Sequence, residues 1–237
     1  MNIALIGYGK MGKTIEQIAT ERGHNIVLKI SSANQADLTA ENLKKADAVI
    51  EMTQPEAAKS NVLLCLQAGV PVTSGTTGWN YDIPQAEQAA KDNNTAFLYA
   101  SNYSVGVNIF FEVNKLLAKL MAQQPSYDVH MKEVHHTQKK DSPSGTALTL
   151  ARQVMEQVTR KTQWSEEEQG ENILHITALR EEGVPGTHTV TYTSAIDDIE
   201  ITHTAHNRNG FALGAVLAAE FIAGKQGVFS MKDVLGI

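Results

Sequence analysis

The densest group of side chains able to do chemistry occupies residues 133–147, Glu-Val-His-His-Thr-Gln-Lys-Lys-Asp-Ser-Pro-Ser-Gly-Thr-Ala. His135 or His136 offers an imidazole whose ordinary pKa near ~6.5 lets it give or take a proton at neutral pH, which suits a reduction in which a proton accompanies a hydride. Lys139 adds a full positive charge, and Ser144, Gly145 and Thr146 open a helix whose backbone N–H groups, with a hydroxyl, cradle a carboxylate. Together they describe an anion site beside a proton carrier. Successive strand residues face opposite sides, so while the strand continues one histidine faces the ligand and the other packs. A metal held by the adjacent histidines with Glu133 or Asp141 is disfavoured, because zinc ligands on a strand need a spacing that returns them to one face; no metal is expected. A polar strand-to-helix connection would account for any one of these residues, but not for the whole string. His203, His206 and Arg208 form a weaker set on or just after a strand, where solvated side chains are the default.

A second signal lies at the N-terminus. Gly7-Tyr8-Gly9-Lys10-Met11-Gly12 is G-x-G-x-x-G directly after an apolar run and at the opening of a helical pattern. The first glycine permits the tight turn, the second lets the backbone approach a pyrophosphate, and the third allows close helix-strand packing. In NAD-specific versions a carboxylate about 20 residues on binds the ribose 2′-OH. Here the second strand ends Lys29-Ile30-Ser31-Ser32 with no acid before Asp37, which favours NADPH or use of both NADPH and NADH; Lys10, or Lys29, is a candidate partner for a 2′-phosphate. Gly75, Thr76 and Thr77 follow the fourth strand, and Ala100, Ser101, Asn102 and Tyr103 follow the fifth. Both groups thus lie at carboxyl ends of strands, where open α/β sheets bind ligands, and would frame the nicotinamide.

The elements that must position these groups follow from periodicity. Strands are expected at 2–6, 26–31, 48–52, 72–74 and 96–100, with helices at 11–22, 56–68 and 84–92 between them, the last two starting beside Pro55 and Pro84. This is a Rossmann-like, doubly wound parallel sheet. From about residue 102 the pattern changes to a helix near 108–122, a strand at 127–135, a helix opening at Ser144, and strands at 173–180, 188–193 and 199–205. These read as an antiparallel sheet in a second α+β domain for substrate binding and oligomerisation. A last helix, with Phe211, Gly214, Leu217, Ala218, Phe221 and Ile222 at helical spacing, is expected to return to the first domain. The division is 1–102 plus 209–237 for the dinucleotide, and 103–208 for the substrate. Glu166-Glu167-Glu168 reads as a solvated loop.

Composition narrows the class. A chain of 237 residues with 42% hydrophobic residues can bury a normal core, and a formal net charge of −6 argues against coating nucleic acid or an anionic membrane. The single cysteine, Cys65, lies in an apolar run, excludes an intrachain disulfide and fits a reducing compartment. There is no signal-peptide pattern at the start and no apolar run long enough to span a bilayer, so a cytoplasmic protein is expected.

The pattern E-x-H-H-x-x-K-x-D-x-P-S-G-T-A at 133–147 resembles the signature of the dihydrodipicolinate reductase family. Further collinear matches lie at 7–12, Glu51-Met52-Thr53-Gln54-Pro55, 75–78, 102–108 and Arg208-Asn209-Gly210-Phe211-Ala212. The resemblance implies reduction of 4-hydroxy-tetrahydrodipicolinate (dihydrodipicolinate) to tetrahydrodipicolinate by NAD(P)H in the diaminopimelate route to lysine. It implies His135 as proton donor or acceptor, and Lys139 as a second donor and positive partner of a small cyclic dicarboxylate. His136 would contact the substrate, and Gly145 and Thr146 would bind one of its carboxylates. Residues 7–12, 75–77 and 100–103 would hold the cofactor, and closure between domains would bring nicotinamide and ring together. The chain departs from the family's pattern in two places. The strand-two acid is absent, and the segment between Gly183 and Asp198 is short for the sheet through which the family's subunits join as a homotetramer. An amino-acid dehydrogenase of the aspartate or homoserine kind would lack H-H-x-x-K next to P-S-G-T, and a non-catalytic dinucleotide sensor would need a partner surface that the sequence does not display.

Overall fold

The protein is described here by a computed structural model covering residues 1–207 and 209–237; Arg208, grouped above with His203 and His206 and with residues 209–212, lies outside the described residues. The chain divides into two compact units, Met1–Asn108 with Asn209–Ile237, and Ile109–Arg208. The boundary expected at 102 falls six residues later because Tyr103 and Val107 are buried and Tyr103 belongs to the first unit's core.

In the first unit, strands β1 (Asn2–Ile6), β2 (Asn25–Ile30), β3 (Ala48–Glu51), β4 (Val72–Ser74) and β5 (Ala96–Tyr99) alternate with helices α1 (Lys10–Glu21), α2 (Ala40–Leu43), α3 (Pro55–Gln67) and α4 (Ile83–Asp92). Helix α5 (Val105–Met121) leads into the second unit, which holds β6 (Asp128–His135), α6 (Gly145–Gln157), β7 (Gln163–Ser165), β8 (Ile173–Arg180), β9 (Gly186–Thr193) and β10 (Asp198–Ala205). The chain closes with α7 (Asn209–Ile222), β11 (Gly227–Phe229) and α8 (Met231–Leu235).

The first sheet is parallel throughout, in the order β11-β5-β4-β3-β1-β2. Its strands are near-continuous apolar runs because both faces are covered. Ile3, Leu5 and Ile50 pack towards α1, α7 and α8, while Ala4, Ile6 and Val49 pack towards α2, α3 and α4, the alternation a pleated strand imposes. Cys65 is fully buried on α3, and burial pushes its thiol pKa up. The chain steps from β1 to β2 on one side, then crosses back to β3 on the other. The loops after β1 and β3 therefore flank the point of reversal, where such sheets bind ligands. Helix α7 packs on α1 within this unit, as its apolar spacing predicts, and Arg22 clasps Glu220 through two bonds of 2.8 Å.

The second sheet has the order β10-β9-β6-β8-β7 and corrects the antiparallel expectation: β6 pairs with β9 antiparallel but with β8 parallel. The cause is α6, since a helix between two strands of one sheet acts as a crossover and brings the second strand in parallel. Val129, Met131, Ile176 and Val190 of this sheet pack with Leu150 and Val154 of α6 and with Phe110 and Ala118 of α5. Glu167 and Glu168 are exposed, as a solvated loop requires, whereas Glu166 is half-buried and accepts a 2.5 Å bond from Ser142. No described helix is long and apolar enough to cross a membrane.

A Cβ at Gly214 of α7 would lie 1.7 Å from the carbonyl oxygen of Tyr103, so α7 can pack here only with a bare backbone. Gly214→Ala should lower the unfolding free energy by roughly 1–3 kcal/mol, measured from urea midpoints. Gly145→Ala, where a Cβ meets nothing within 4 Å, should change it by less than about 0.5 kcal/mol.

Candidate active site

In the first unit the loop after β1 is tied to β2: the N–H groups of Gly7 and Tyr8 both donate to Ile30 O, at 2.9 and 2.8 Å. Gly7 has φ +98°, and a Cβ there would lie 1.9 Å from Met52 O, so the tight turn demands glycine. A Cβ at Gly12 would lie 2.7 Å from Gly7 O, which is the close helix-strand approach expected of the third glycine. At Gly9, which caps α1, a Cβ would meet nothing within 4 Å. The bare backbone there is open to a ligand, with the first N–H groups of α1 pointing outward beside it. These features fit a dinucleotide pyrophosphate. Lys10 is exposed and Met11 half-buried at the start of the helix.

The rest of the first unit's pocket is organised by a carboxylate the sequence reading left without a role. Glu51, at the end of β3, is completely buried and accepts hydrogen bonds from Thr53 N at 3.1 Å, Ser74 Oγ at 2.6 Å, Thr76 Oγ1 at 2.9 Å and the Thr53 hydroxyl. It thereby locks the ends of β3 and β4 together. Gly75 sits between them, where a Cβ would fall 2.5 Å from Met52 Sδ and 2.9 Å from Tyr103 Cε2. Of the expected cofactor residues, Thr77 and Ser101 are exposed and Ala100 and Asn102 half-buried, with Asn102 Oδ1 accepting from Ser104 N at the start of α5. Two others turn inward. The Thr76 hydroxyl is engaged by Glu51 and Thr53 N, and the Tyr103 hydroxyl lies 2.6 Å from Thr73 Oγ1 and donates to Ser74 O at 2.8 Å.

At the end of β2, Ser31 and Ser32 line the same pocket as Gly7 and Gly9. Ser31 donates through N and Oγ to Asn34 Oδ1, and the Asn34 amide donates to Asp37 at 3.0 Å. Lys29, considered above for a 2′-phosphate, is paired with Glu16 at 3.1 Å, and Glu16 also accepts from the Tyr8 hydroxyl. The Tyr8 hydroxyl first, and then Lys29, hold the Glu16 carboxyl below its usual range, while the hydrogen bond to Glu16 is the main cause that raises Lys29.

The second unit gathers the chemical residues at the carboxyl end of β6. His135 is the last residue of that strand, so His136 lies just past the pleat; His135 is buried and His136 half-buried. Glu133, two residues back on the same face, is completely buried. Its oxygens accept from Ser144 N at 3.0 and 3.2 Å, and lie 3.4 Å from Arg180 and 3.5 Å from His135 Nδ1 and His188 Nε2. Burial by itself would raise its pKa, but the hydrogen bonds from His188 and Ser144, with the charge of His135, outweigh that and hold the carboxyl low. His135 is pushed down to about 4, first by burial and then by the nearby His188, Lys139 and Arg180, with Glu133 opposing. It is neutral at pH 7.

Ser144 corrects an expectation. Rather than facing a ligand, its hydroxyl caps α6 by accepting from Ala147 N at 3.1 Å and lies 3.0 Å from His188 Nε2. Gly145, exposed, and Thr146, half-buried, form the first turn of α6. Lys139 is half-buried and pairs with both Asp141 oxygens at 2.9 Å, and Arg180 donates to Asp141 O at 2.7 Å. Glu133, His135 and His188 bring their donor atoms within 4.8 Å of one another, a set of types that can ligate a metal. Arg180 and the Ser144 N–H already occupy that carboxylate. His188 and Arg180 are functional neighbours that sequence reasoning missed, because only strand register places His188 opposite Glu133 and Arg180 opposite His135. His203 packs beside Phe110, with ring centroids 5.9 Å apart, and burial lowers its pKa; His206 is exposed.

Comparison with known proteins identifies the family. Two family descriptions match, "Dihydrodipicolinate reductase, N-terminus" over residues 1–103 and "Dihydrodipicolinate reductase, C-terminus" over residues 106–235. The chain is 52% identical to the 4-hydroxy-tetrahydrodipicolinate reductase of Christiangramia forsetii, covering 99% of this chain and 98% of that protein. It is 36% identical to the enzyme of that name from Methanosarcina mazei, covering 99% and 89%. Among solved structures, a dipicolinate-bound dihydrodipicolinate reductase from Paenisporosarcina sp. TG-14 superposes with a TM-score of 0.81 at 22% identity over 98% of both chains, a likeness of fold. With both halves matched and a relative more than half identical along almost its whole length, the chain belongs to the dihydrodipicolinate reductase family.

Proposed function

We propose that the chain catalyses the NAD(P)H-dependent reduction of 4-hydroxy-tetrahydrodipicolinate to tetrahydrodipicolinate, on the diaminopimelate route to lysine, in the cytoplasm. The observation that carries the reading is the assembly of His135, Lys139 and the first turn of α6 at one end of the second sheet, in a chain whose relatives bear that enzyme's name. The nicotinamide, when bound, supplies the hydride. Residues 7–12, 75–77 and 100–103 would hold it, with Thr76 and Tyr103 contributing through backbone and shape because their hydroxyls are engaged inward.

The remaining work falls to the chain's own groups. The N–H groups of Gly145 and Thr146 receive a substrate carboxylate at the positive end of α6. Lys139 leaves Asp141 to pair with the dicarboxylate, so substrate binding exchanges one ion pair for another rather than creating a new buried charge. His136 contacts the substrate. His135, held neutral by burial, takes or passes a proton, and Lys139 brings the positive charge to the dicarboxylate. Ser144 acts one step behind, by fixing the start of α6.

For the cofactor, hydroxyls rather than a carboxylate stand at the end of β2, which supports NADPH with NADH also used. A homotetramer is supported by an open apolar stripe on α5, where Leu116 and Leu120 are each 61% exposed and Ile109 and Val113 are also uncovered.

Three measurements check these points. With substrate made in situ from aspartate semialdehyde and pyruvate by the preceding synthase, NADPH oxidation followed by absorbance should proceed. In that assay His135→Gln should cost roughly 10²-fold in kcat, and Lys139→Ala should raise KM as well as lower kcat; wild-type rates in both would overturn the reading. Ser32→Asp should move the kcat/KM ratio towards NADH by roughly tenfold or more, about 1.4 kcal/mol. Sedimentation should give a four-chain species that Leu116→Lys with Leu120→Lys breaks down.

A further inference from the structure

One buried charge in the second unit meets no ligand in the mechanism above. Glu133 lies on the central part of its sheet, two residues before His135 and on the same face; register sets His188 of β9 opposite Glu133 and Arg180 of β8 opposite His135. Glu133 is 0% exposed, His188 5% and His135 7%. The carboxylate is held from several sides. Oε1 takes Ser144 N at 3.0 Å and Arg180 at 3.4 Å, while Oε2 faces His135 Nδ1 and His188 Nε2, each at 3.5 Å. Among the described residues, His135 Nδ1 has no hydrogen-bond partner, although it is buried and aimed at that oxygen. An ionised carboxylate can only accept, so an imidazole nitrogen facing it is favoured to carry the proton.

We infer that Glu133 is a positioning residue that holds His135 as its Nδ1–H tautomer, with His188 seated against the same oxygen, so that His135 presents Nε2 as a proton acceptor. This rests on the reading of His135 as the proton carrier. Nε2 lies on the opposite side of the ring, 3.0 Å from where a Cβ at Gly186 would stand, so the absent side chain at Gly186 leaves that nitrogen uncovered. When Nε2 takes a proton, the ring becomes an imidazolium whose other N–H already faces Glu133; the carboxylate stays ionised, and the proton departs again through Nε2. The charged groups around the ring act in opposite senses. Burial first, then His188, Lys139 and Arg180, lower its proton affinity, and Glu133 raises it. Neutralising Glu133 must therefore move the titration of His135 to lower pH.

The test combines nitrogen NMR of the labelled histidines with kinetics. In the wild type, His135 should show protonated Nδ1 and titrate well below pH 6.5. In Glu133→Gln it should shift towards the Nε2–H tautomer and titrate lower still, kcat should fall roughly tenfold or more, and dipicolinate affinity should stay within about threefold, because the Gln amide oxygen still accepts from Ser144 N and keeps the start of α6 in place. Glu133→Asp should restore the tautomer in part. In a His135→Gln background, adding Glu133→Gln should cost nothing further, since both changes remove one function. An unchanged tautomer and titration in Glu133→Gln, or a full additional loss in the double variant, would overturn this inference alone. A wild-type rate in His135→Gln would instead overturn the proton-carrier reading beneath it. If Glu133→Gln does not fold, Glu133→Asp carries the same tautomer measurement, with a partial shift towards Nε2–H expected as the shorter carboxylate draws back from Nδ1 and an unchanged tautomer decisive against.

Discussion

A carboxylate buried in the middle of a sheet is costly: the effective penalty for dehydrating an ion is several kcal/mol, and only close partners offset it. The second unit is arranged around that constraint. Glu133 needs donors, and it obtains them from the backbone of Ser144, the guanidinium of Arg180 and the ring of His188. Each donor fixes a different element. Ser144 sets where α6 begins, Arg180 ties the end of β8 to the carbonyl of Asp141, and His188 keeps β9 in register. The direction of the N–H groups of Gly145 and Thr146 is thus a consequence of where one buried charge found its partners. Removing a single partner would leave the others facing an unbalanced charge, so the network is best seen as one object.

The first unit solves a related problem with hydroxyls. Glu51 is as buried as Glu133, but its donors are the N–H and hydroxyl of Thr53 and the hydroxyls of Ser74 and Thr76. The carboxylate joins two strand ends whose loops, with the bare backbone at Gly75, must hold a narrow shape. In this way each unit spends a buried acid on fixing the carboxyl ends of its strands.

Much of this was readable in the sequence, and the limits have physical causes. The parallel sheet was legible because apolar runs too short for helices alternate with helical periods, and the glycines at 7, 9 and 12 fall where turn, ligand and packing each forbid or omit a side chain. The helix between β6 and β8 was also legible, and as a crossover it implies the parallel pairing that makes the second sheet mixed rather than antiparallel. What could not be read is register. His188 and Arg180 lie 55 and 47 residues from Glu133, and no local pattern announces that strands β9 and β8 will set them beside it. Side-chain direction was equally hidden: Ser144, Tyr103 and Lys29 have the right types for ligand contact, but their polar atoms are engaged by neighbours that only the fold supplies.

The single cysteine has a practical consequence. Cys65 is sealed beneath α3, and its burial keeps the thiol in its unreactive protonated form. Thiolate is the form that alkylates and oxidises. The native surface therefore offers no reactive thiol to maleimides, and one cysteine introduced at any exposed position would be the sole addressable thiol. A fluorophore or spin label could be attached there without first removing a native residue, which makes the wild-type chain a ready background for measuring motion.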